Sequence, residues 1–300
     1  MKRRALPFAI AVALSDAARA DSSAPTLASY YERHMALRRG VAHGWVGRSA
    51  TPRVLRRDVL QVGVGKDTWF ALDADTTLVG WTDARPEPVR LMRGVARFAA
   101  GDSGWFAIDR DAALWRGRGL DASAPQRVAD DVLDACIGDG ADYLVTRAGA
   151  LFVKGLAHRG QYGDGRLRES AEFVATSQDI VAVRAHTGHA IALTRDGRVI
   201  GTGGNRFGPL GAHGLGDKAD RWGTIFTGAA AIATGSRHSA AIRADASLWA
   251  WGEGFGIEPV KLLDRASAVA AGDGATIAVD GDGALWQWQG TGTPRSVLLG

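Results

Sequence analysis

Small and apolar residues recur along the chain in runs of about five or six, broken by polar pairs rich in aspartate and glycine. Runs such as AAIATG (230–235), HSAAI (238–242), GHAIAL (188–193) and SLWAWG (247–252) are too short and too rich in apolar residues for surface helices. They predict strands. The pairs between them, Asp-Gly or Asp-Ala, predict tight turns, because the Asp side chain bonds its own backbone and Gly adopts positive φ without strain.

The runs are copies of one unit. Small residues that end a run serve as anchors: Gly65, Gly101, Gly138, His186, Gly235 and Gly272. Seven positions on stand Leu72, Ile108, Val145, Leu193, Ile242 and Val279. Ten on stand Asp75, Asp111, Ala148, Asp196, Asp245 and Asp282. Thirteen on stand Leu78, Leu114, Leu151, Val199, Leu248 and Leu285, each followed by a large apolar residue such as Trp115, Trp249 or Trp286. The anchors are 36, 37, 48, 49 and 37 residues apart. Each copy supplies a strand before the anchor, a second after it, a turn and a third strand. Pro52, Pro86, Pro125, Pro259 and Pro294 are expected to open a short fourth strand, where proline is tolerated at an edge. Four antiparallel strands at this period predict the blade of an all-β propeller.

A degenerate copy at about 26–56 makes seven blades. RHMALRRGVAHGWVG (33–47) aligns with RHSAAIRADASLWAWG (237–252), and Thr51-Pro52-Arg53-Val54 follows as a fourth strand. The alternative is six blades after an amphipathic helix over 26–38, with Leu27, Tyr30, His34 and Leu37 on one face. The clear copies run from about 57 to 300, and residues 21–300 read as one domain.

Composition adds compartment and excludes some classes. Glycine is frequent, 40 of 300 residues, without a collagen period. The net charge is +4. Residues 1–20 hold Lys2, Arg3, Arg4 and Arg19 against Asp16, so they carry +3 and the rest of the chain +1. That balance argues against nucleic-acid binding. The basic start, an apolar run from Ala5 to Leu14 and the small-x-small Ala18-Arg19-Ala20 predict a secretory signal over 1–20. The expectation is an exported protein, periplasmic or secreted, with no membrane span. Cys136 is the single cysteine, so no disulfide within the chain and no cysteine-built metal site can form.

The stretch Val181–Gly214 carries Gly204-Asn205 followed by Gly208-Pro209-Leu210-Gly211. With Arg159-Gly160-Gln161-Tyr162-Gly163, it resembles the G-x-N-x-x-G-Q-L-G loop of the regulator of chromosome condensation repeat family. The resemblance covers about 30–300. It implies the propeller fold shared by the members of that family. Four copies lack the loop and are short, which resembles secreted bacterial members such as the propeller-type β-lactamase inhibitor. Nuclear exchange factors for small GTPases share the fold, and fold alone does not carry function.

Candidate chemistry falls on the loops. Trp69 and Trp105 follow their anchors by four, where first-to-second-strand loops gather near a propeller axis. With Asp67, Asp102, Asp139, Asp142, His186, His189, Arg237, His238 and Asp273 they form a candidate partner face, since aromatics and arginine dominate interface hot spots. The competing reading buries both tryptophans between loops. His189 and His238 share a repeat position, which favours loop support over metal binding. The insertions 155–170 and 201–223 offer Arg159, Tyr162, Arg206 and Phe207, for binding or for loop packing. The arginines 33, 38, 39, 48, 53, 56 and 57 form one basic stretch, solvated or set against an anionic surface.

Other motifs carry less. Gly101-Asp102-Ser103-Gly104 spells a serine-protease signature without its base. Asp280-Gly281-Asp282-Gly283 lacks the remaining ligands of a calcium loop. Residues 71–81 approximate the docking motif of quinoprotein propellers with Thr77 at the glycine position. The expectation is a monomeric, non-catalytic protein binder without cofactor or metal, its partner unidentified. The alternatives are a carboxylate-based hydrolase or lyase, or a quinone-dependent enzyme.

Overall fold

The computed structural model describes residues 26–48, 50–120, 123–156, 158–213 and 216–299. The expected signal, 1–20, lies outside them. The described residues form seven sheets of four antiparallel strands each, in chain order. Blade 1 holds β1 (Thr26–Tyr30), β2 (Arg33–Arg38), β3 (Val41–Val46) and β4 (Arg53–Arg56). Blade 2 holds β5 (Val59–Val64), β6 (Trp69–Asp73), β7 (Leu78–Trp81) and β8 (Val89–Met92). Blade 3 holds β9 (Val95–Gly101), β10 (Gly104–Asp109), β11 (Leu114–Gly117) and β12 (Gln126–Ala129). Blade 4 holds β13 (Val132–Ile137), β14 (Ala141–Thr146), β15 (Leu151–Leu156) and β16 (Glu169–Ser177). Blade 5 holds β17 (Ile180–Ala185), β18 (His189–Thr194), β19 (Val199–Gly204) and β20 (Lys218–Phe226). Blade 6 holds β21 (Ala229–Thr234), β22 (His238–Arg243), β23 (Leu248–Gly252) and β24 (Gly256–Leu263). Blade 7 holds β25 (Ala266–Ala271), β26 (Ala275–Asp280), β27 (Leu285–Gln289) and β28 (Arg295–Val297).

Seven blades are therefore present, and the helix alternative over 26–38 is replaced by the hairpin β1–β2. The first strands of neighbouring blades meet around the axis, blade 7 against blade 1 included. The core sits between blades. One cluster joins Met35, Val62, Trp69 and Val79 across blades 1 and 2. Another joins Phe70, Leu72, Phe98 and Trp105 across blades 2 and 3. The tryptophan pairs fill such seams: Trp249 and Trp251 pack against Phe226, and Trp286 and Trp288 join the cluster between blades 6 and 7.

The second-to-third-strand turns are set by aspartate. The Asp109 carboxylate accepts the backbone N–H groups of Asp111 and Ala113 and the indole N–H of Trp115. Asp280 repeats the arrangement with Asp282, Ala284 and Trp286, so its Gly-Asp-Gly stretch is a turn. Each turn also holds the next blade. The N–H groups of Val59, Val95, Val132, Ile180, Ala229 and Ala266 bond to Gly40, Thr76, Ala112, Gly149, Gly197 and Ala246. Four prolines precede their fourth strands as expected. Pro259 instead lies inside β24, which tolerates it because β24 is an outer edge.

Candidate functional site

In a four-stranded meander the loops joining strands one to two and three to four emerge at the same end. Both loop sets singled out from the sequence therefore share one face. The inner tips are tied to one another by backbone. Asp139 N–H donates to His186 O (3.1 Å), Ser236 N–H to Gly272 O (3.0 Å) and Asp273 N–H to Tyr31 O (2.9 Å). Asp67, Asp102 and Asp139 stand exposed on these tips.

The axis itself is closed by aromatic rings. Tyr30 ends β1, and its ring stacks on His186 of blade 5 at 4.4 Å. Blades 1 and 5 are not neighbours, so this contact crosses the axis. Tyr31, at φ +48°, sets its ring edge-on to both Tyr30 (5.0 Å) and His186 (5.3 Å). Burial, then the negative charges of Asp102 and Asp139, push the Tyr30 hydroxyl well above its usual pKa. Burial holds His186 at about 4, with Asp273 opposing. The His186 Nδ1 accepts the Thr187 N–H, and its Nε2 is buried without a partner.

The long loops are half structural and half free. In blade 5 the Asn205 side chain accepts the Leu210 N–H and donates to the carbonyls of Gly211 and His213. That closure pushes Leu210 into the core and points Pro209 O at Ser239 and the Trp251 indole of blade 6. The blade 4 loop does the same one blade earlier: Gly160 O accepts from Thr202 of blade 5, and Tyr162 donates to Gly155 O. What remains outside is a cluster around Phe207, a residue 42% exposed. Arg237 lies over that ring at 4.9 Å and Arg206 at 5.7 Å. Arg237 is held by Glu253 (2.9 Å) and Asp273 (3.4 Å). Ile257, 56% exposed, borders the same loop beside Gly208. Arg159 is exposed next to Gly188.

Several expected face residues are not on the surface. Trp69 and Trp105 are 1% exposed. They occupy the first or second position of the second strands rather than the loop ends, so their side chains turn between blades. Trp69 donates to Asp83 (3.1 Å) beneath Arg33, and Trp105 lies against Gly117, where no Cβ fits. His189 and His238 are buried and reach the next blade, bonding Ser239 (3.3 Å) and Thr276 (2.9 Å). Tyr162 is buried as well. Asp142 is half-buried against Arg116 (3.4 Å), with burial raising its pKa and Arg116 opposing. The basic stretch is split: Arg33, Arg48 and Arg53 lie toward the loop end, Arg38, Arg39, Arg56 and Arg57 toward the turn end. Sequence reasoning missed Tyr30, Tyr31, Glu253 and Ile257. Tyr30 entered only on the face of the alternative helix, and no local signal set Tyr31, Glu253 or Ile257 apart.

Catalytic pairings do not form at the motifs weighed. Ser103 Oγ is engaged by Arg116 (2.8 Å), not by a base. An open cleft of about 300 Å³ between blades 1 and 2 has one carboxylate, Asp83, which Trp69, Arg33 and Arg53 already occupy. Among the described residues no group of three His, Cys, Asp or Glu could hold a metal ion. The Cys136 thiol is buried, and burial pushes its pKa far up.

No family model matches the chain. Secretion-regulating guanine nucleotide exchange factor from Mus musculus is 32% identical over 160 residues, 46% of this chain and 32% of that protein. Its Bos taurus counterpart is 31% identical over the same shares. The match thus spans about a third of the length of these relatives. Among solved structures, Prp20p from Saccharomyces cerevisiae, described with its binding to Gsp1p and histones, aligns with a TM-score of 0.69. The identity is 15%, over 82% of this chain and 80% of that one. Yeast RCC1 (Prp20) in complex with Kap60 gives 0.69 at 18% identity, over 79% and 72%. The chain is a seven-bladed propeller, similar in repeat to these relatives and in fold to the regulator of chromosome condensation propellers.

Proposed function

We propose that the chain is an exported, non-catalytic module that binds a protein partner through its loop end. The carrying observation is the cluster of Phe207 with Arg206 and Arg237. It joins residues of blades 5 and 6 into one exposed aromatic and guanidinium surface, the composition of interface hot spots. Arg237 is already positioned by Glu253 and Asp273, so binding costs little side-chain ordering. Export rests on the 1–20 pattern, and inhibition of an extracytoplasmic enzyme is the role that secreted members of this repeat family suggest. The test is capture of a partner by residues 21–300, with Phe207→Ala/Arg237→Ala beside the parent. The double variant is expected to weaken the partner by at least about 2 kcal/mol. A partner held equally by both removes this surface from the reading.

The relatives' names favour a second reading, nucleotide exchange on a small GTPase. Nucleotide release from a panel of small GTPases tests it. Acceleration of release would replace the exported-inhibitor reading.

A further inference from the structure

The loop end carries Phe207 and its arginines. The opposite end of the ring carries the second-to-third-strand turns and the linkers between blades. Backbone bonds set four of these tips side by side. Val59 N–H donates to Gly40 O (3.0 Å), Ala74 N–H to Asp58 O (2.7 Å) and Val95 N–H to Thr76 O (3.1 Å). The blade 1 turn, the linker into blade 2, the blade 2 turn and the linker into blade 3 therefore form one continuous rim. It carries Arg38, Arg39, Arg56, Arg57, Arg90 and Arg93 against Asp58, Asp73 and Asp75. Arg56 and Asp73 satisfy each other through two hydrogen bonds (2.5 and 2.6 Å). Asp75 is turned to its own backbone and accepts the Thr77 N–H (3.0 Å). The Thr77 contacts, then the charges of Arg90 and Arg93, hold Asp75 below its usual pKa, which sets both arginines beside this turn. The five arginines other than Arg56 are exposed. Among the described residues no hydrogen bond or ion pair engages their guanidinium groups.

The other blades make this rim a departure from the repeat. Each of blades 3 to 7 holds a cation of the same end against an aspartate, as Arg127 with Asp130 (2.5 Å) and Arg265 with Asp282 (2.9 Å). A second, independent observation is apolar. Leu60, the second residue of β5, is 51% exposed next to the linker. Leu298 follows β28 at the same end, is 79% exposed and lines one cleft with Arg38.

Unneutralised arginines and exposed leucines on one rim fit an anionic lipid surface. Lipid phosphates accept guanidinium groups as bidentate partners, and the acyl boundary takes up leucine side chains. A nucleic acid would use the arginines alone, and the rim holds no aromatic residue on which a base could stack.

We propose that the turn end of blades 1 and 2, extended to Leu298 of blade 7, docks the protein on an anionic phospholipid bilayer. Arg38, Arg39, Arg57, Arg90 and Arg93 meet the headgroup phosphates, and Leu60 and Leu298 reach the acyl boundary. The contact is peripheral and uses no spanning segment. It turns the loop end away from the lipid and does not depend on the loop-end partner.

The test is co-sedimentation of residues 21–300 with vesicles of phosphatidylcholine alone, or of phosphatidylcholine and phosphatidylglycerol in equal parts. Saturable binding is expected to the mixed vesicles only, and it should weaken as salt rises. Arg57→Ala/Arg93→Ala is expected to raise the vesicle Kd about twentyfold, at roughly fivefold for each arginine. Arg118→Ala/Arg166→Ala removes the same charge from exposed positions at the loop end and is expected to bind as the parent does. Leu60→Ser/Leu298→Ser should weaken binding severalfold with the salt dependence kept. All six positions are exposed, so the thermal midpoints should stay near that of the parent. Equal binding to both vesicle types, an unaltered Kd in the Arg57/Arg93 or the leucine variant, or an equal loss in the Arg118/Arg166 variant would overturn the proposal. So would binding of a DNA duplex through Arg57 and Arg93 without binding to vesicles, which would assign the rim to nucleic acid.

Discussion

Four of the five buried histidines, His34, His186, His189 and His238, are held neutral by desolvation. Burial lowers His34, His186 and His238 to about 4 and His189 to about 3, from an ordinary 6.5. The unfolded chain therefore binds more protons than the native one between pH 6.5 and about 4. Their contribution to stability is fully present above 6.5 and is lost as pH falls through that window. Each histidine adds up to about 1.4 kcal/mol per pH unit to the slope. Urea midpoints are expected to be flat from pH 8 to 7 and to fall steeply from about 6 to 4.5. A midpoint unchanged down to pH 5 would show that the histidines are solvated. The same burial explains why Trp69 and Trp105 misled. A residue four after the anchor reads equally as loop end or strand start, and only the short loops, Gly65–Thr68 and Gly101–Gly104, decide for the strand.

At the level of elements, the second-to-third-strand turn tests how far the repeats are optimised. Its positive-φ position is filled by Gly40, Gly149, Gly197 and Gly283 in four copies, but by Thr76, Ala112 and Ala246 in three. Alanine at φ +68° carries a Cβ–backbone strain that glycine lacks. Ala246→Gly is expected to stabilise by about 0.5–1 kcal/mol, and the reverse swap Gly197→Ala to cost about 1 kcal/mol or more. Denaturation midpoints of the two variants check this, and a neutral Gly197→Ala would refute the strain argument. The turns were legible because aspartate, glycine and the third-strand leucine recur at fixed offsets, so every copy reports the same register. The axial closure was not legible. Tyr30 meets His186 through the curvature of the ring, and no local spacing encodes a contact between blades three apart. The long-loop cluster was half legible: Arg206, Phe207 and Arg237 stood out by type, whereas Leu210 and Tyr162 turned inward because Asn205 and Gly155 O fix the loops that carry them.

On the scale of the whole ring, closure depends on a seam that no strand crosses. Blade 1 is built from one end of the described chain and blade 7 from the other, and neither lends a strand to its neighbour. Side chains therefore carry the junction beside the main-chain bond of Asp273 N–H to Tyr31 O. The Gln287 amide oxygen accepts the Trp45 indole N–H (3.3 Å), and its amide nitrogen faces His34 Nε2 (3.4 Å). Nearer the loop end, Arg48 donates to Gln289 (3.0 Å), and Arg295 donates to the Arg48 and Ala50 carbonyls. Ala36, Trp45, Ile277 and Val279 supply the apolar part. Every other junction has the same packing plus a covalent linker, and the turn-to-strand bonds run only along the chain. Blades that contact only their neighbours open where the interface is weakest. Native-state hydrogen exchange is expected to show β1, β2, β26 and β27 opening below the global unfolding free energy, ahead of blades 3 to 5. Gln287→Ala strands the buried Trp45 N–H and should lower that opening by about 1–3 kcal/mol, with little effect on blade 4 amides. Equal protection around the ring, unchanged by Gln287→Ala, would mean that the seam is as strong as a linked junction. Because Asp273 and Tyr31 also meet across this seam, opening it would undo the aromatic closure of the axis along with it.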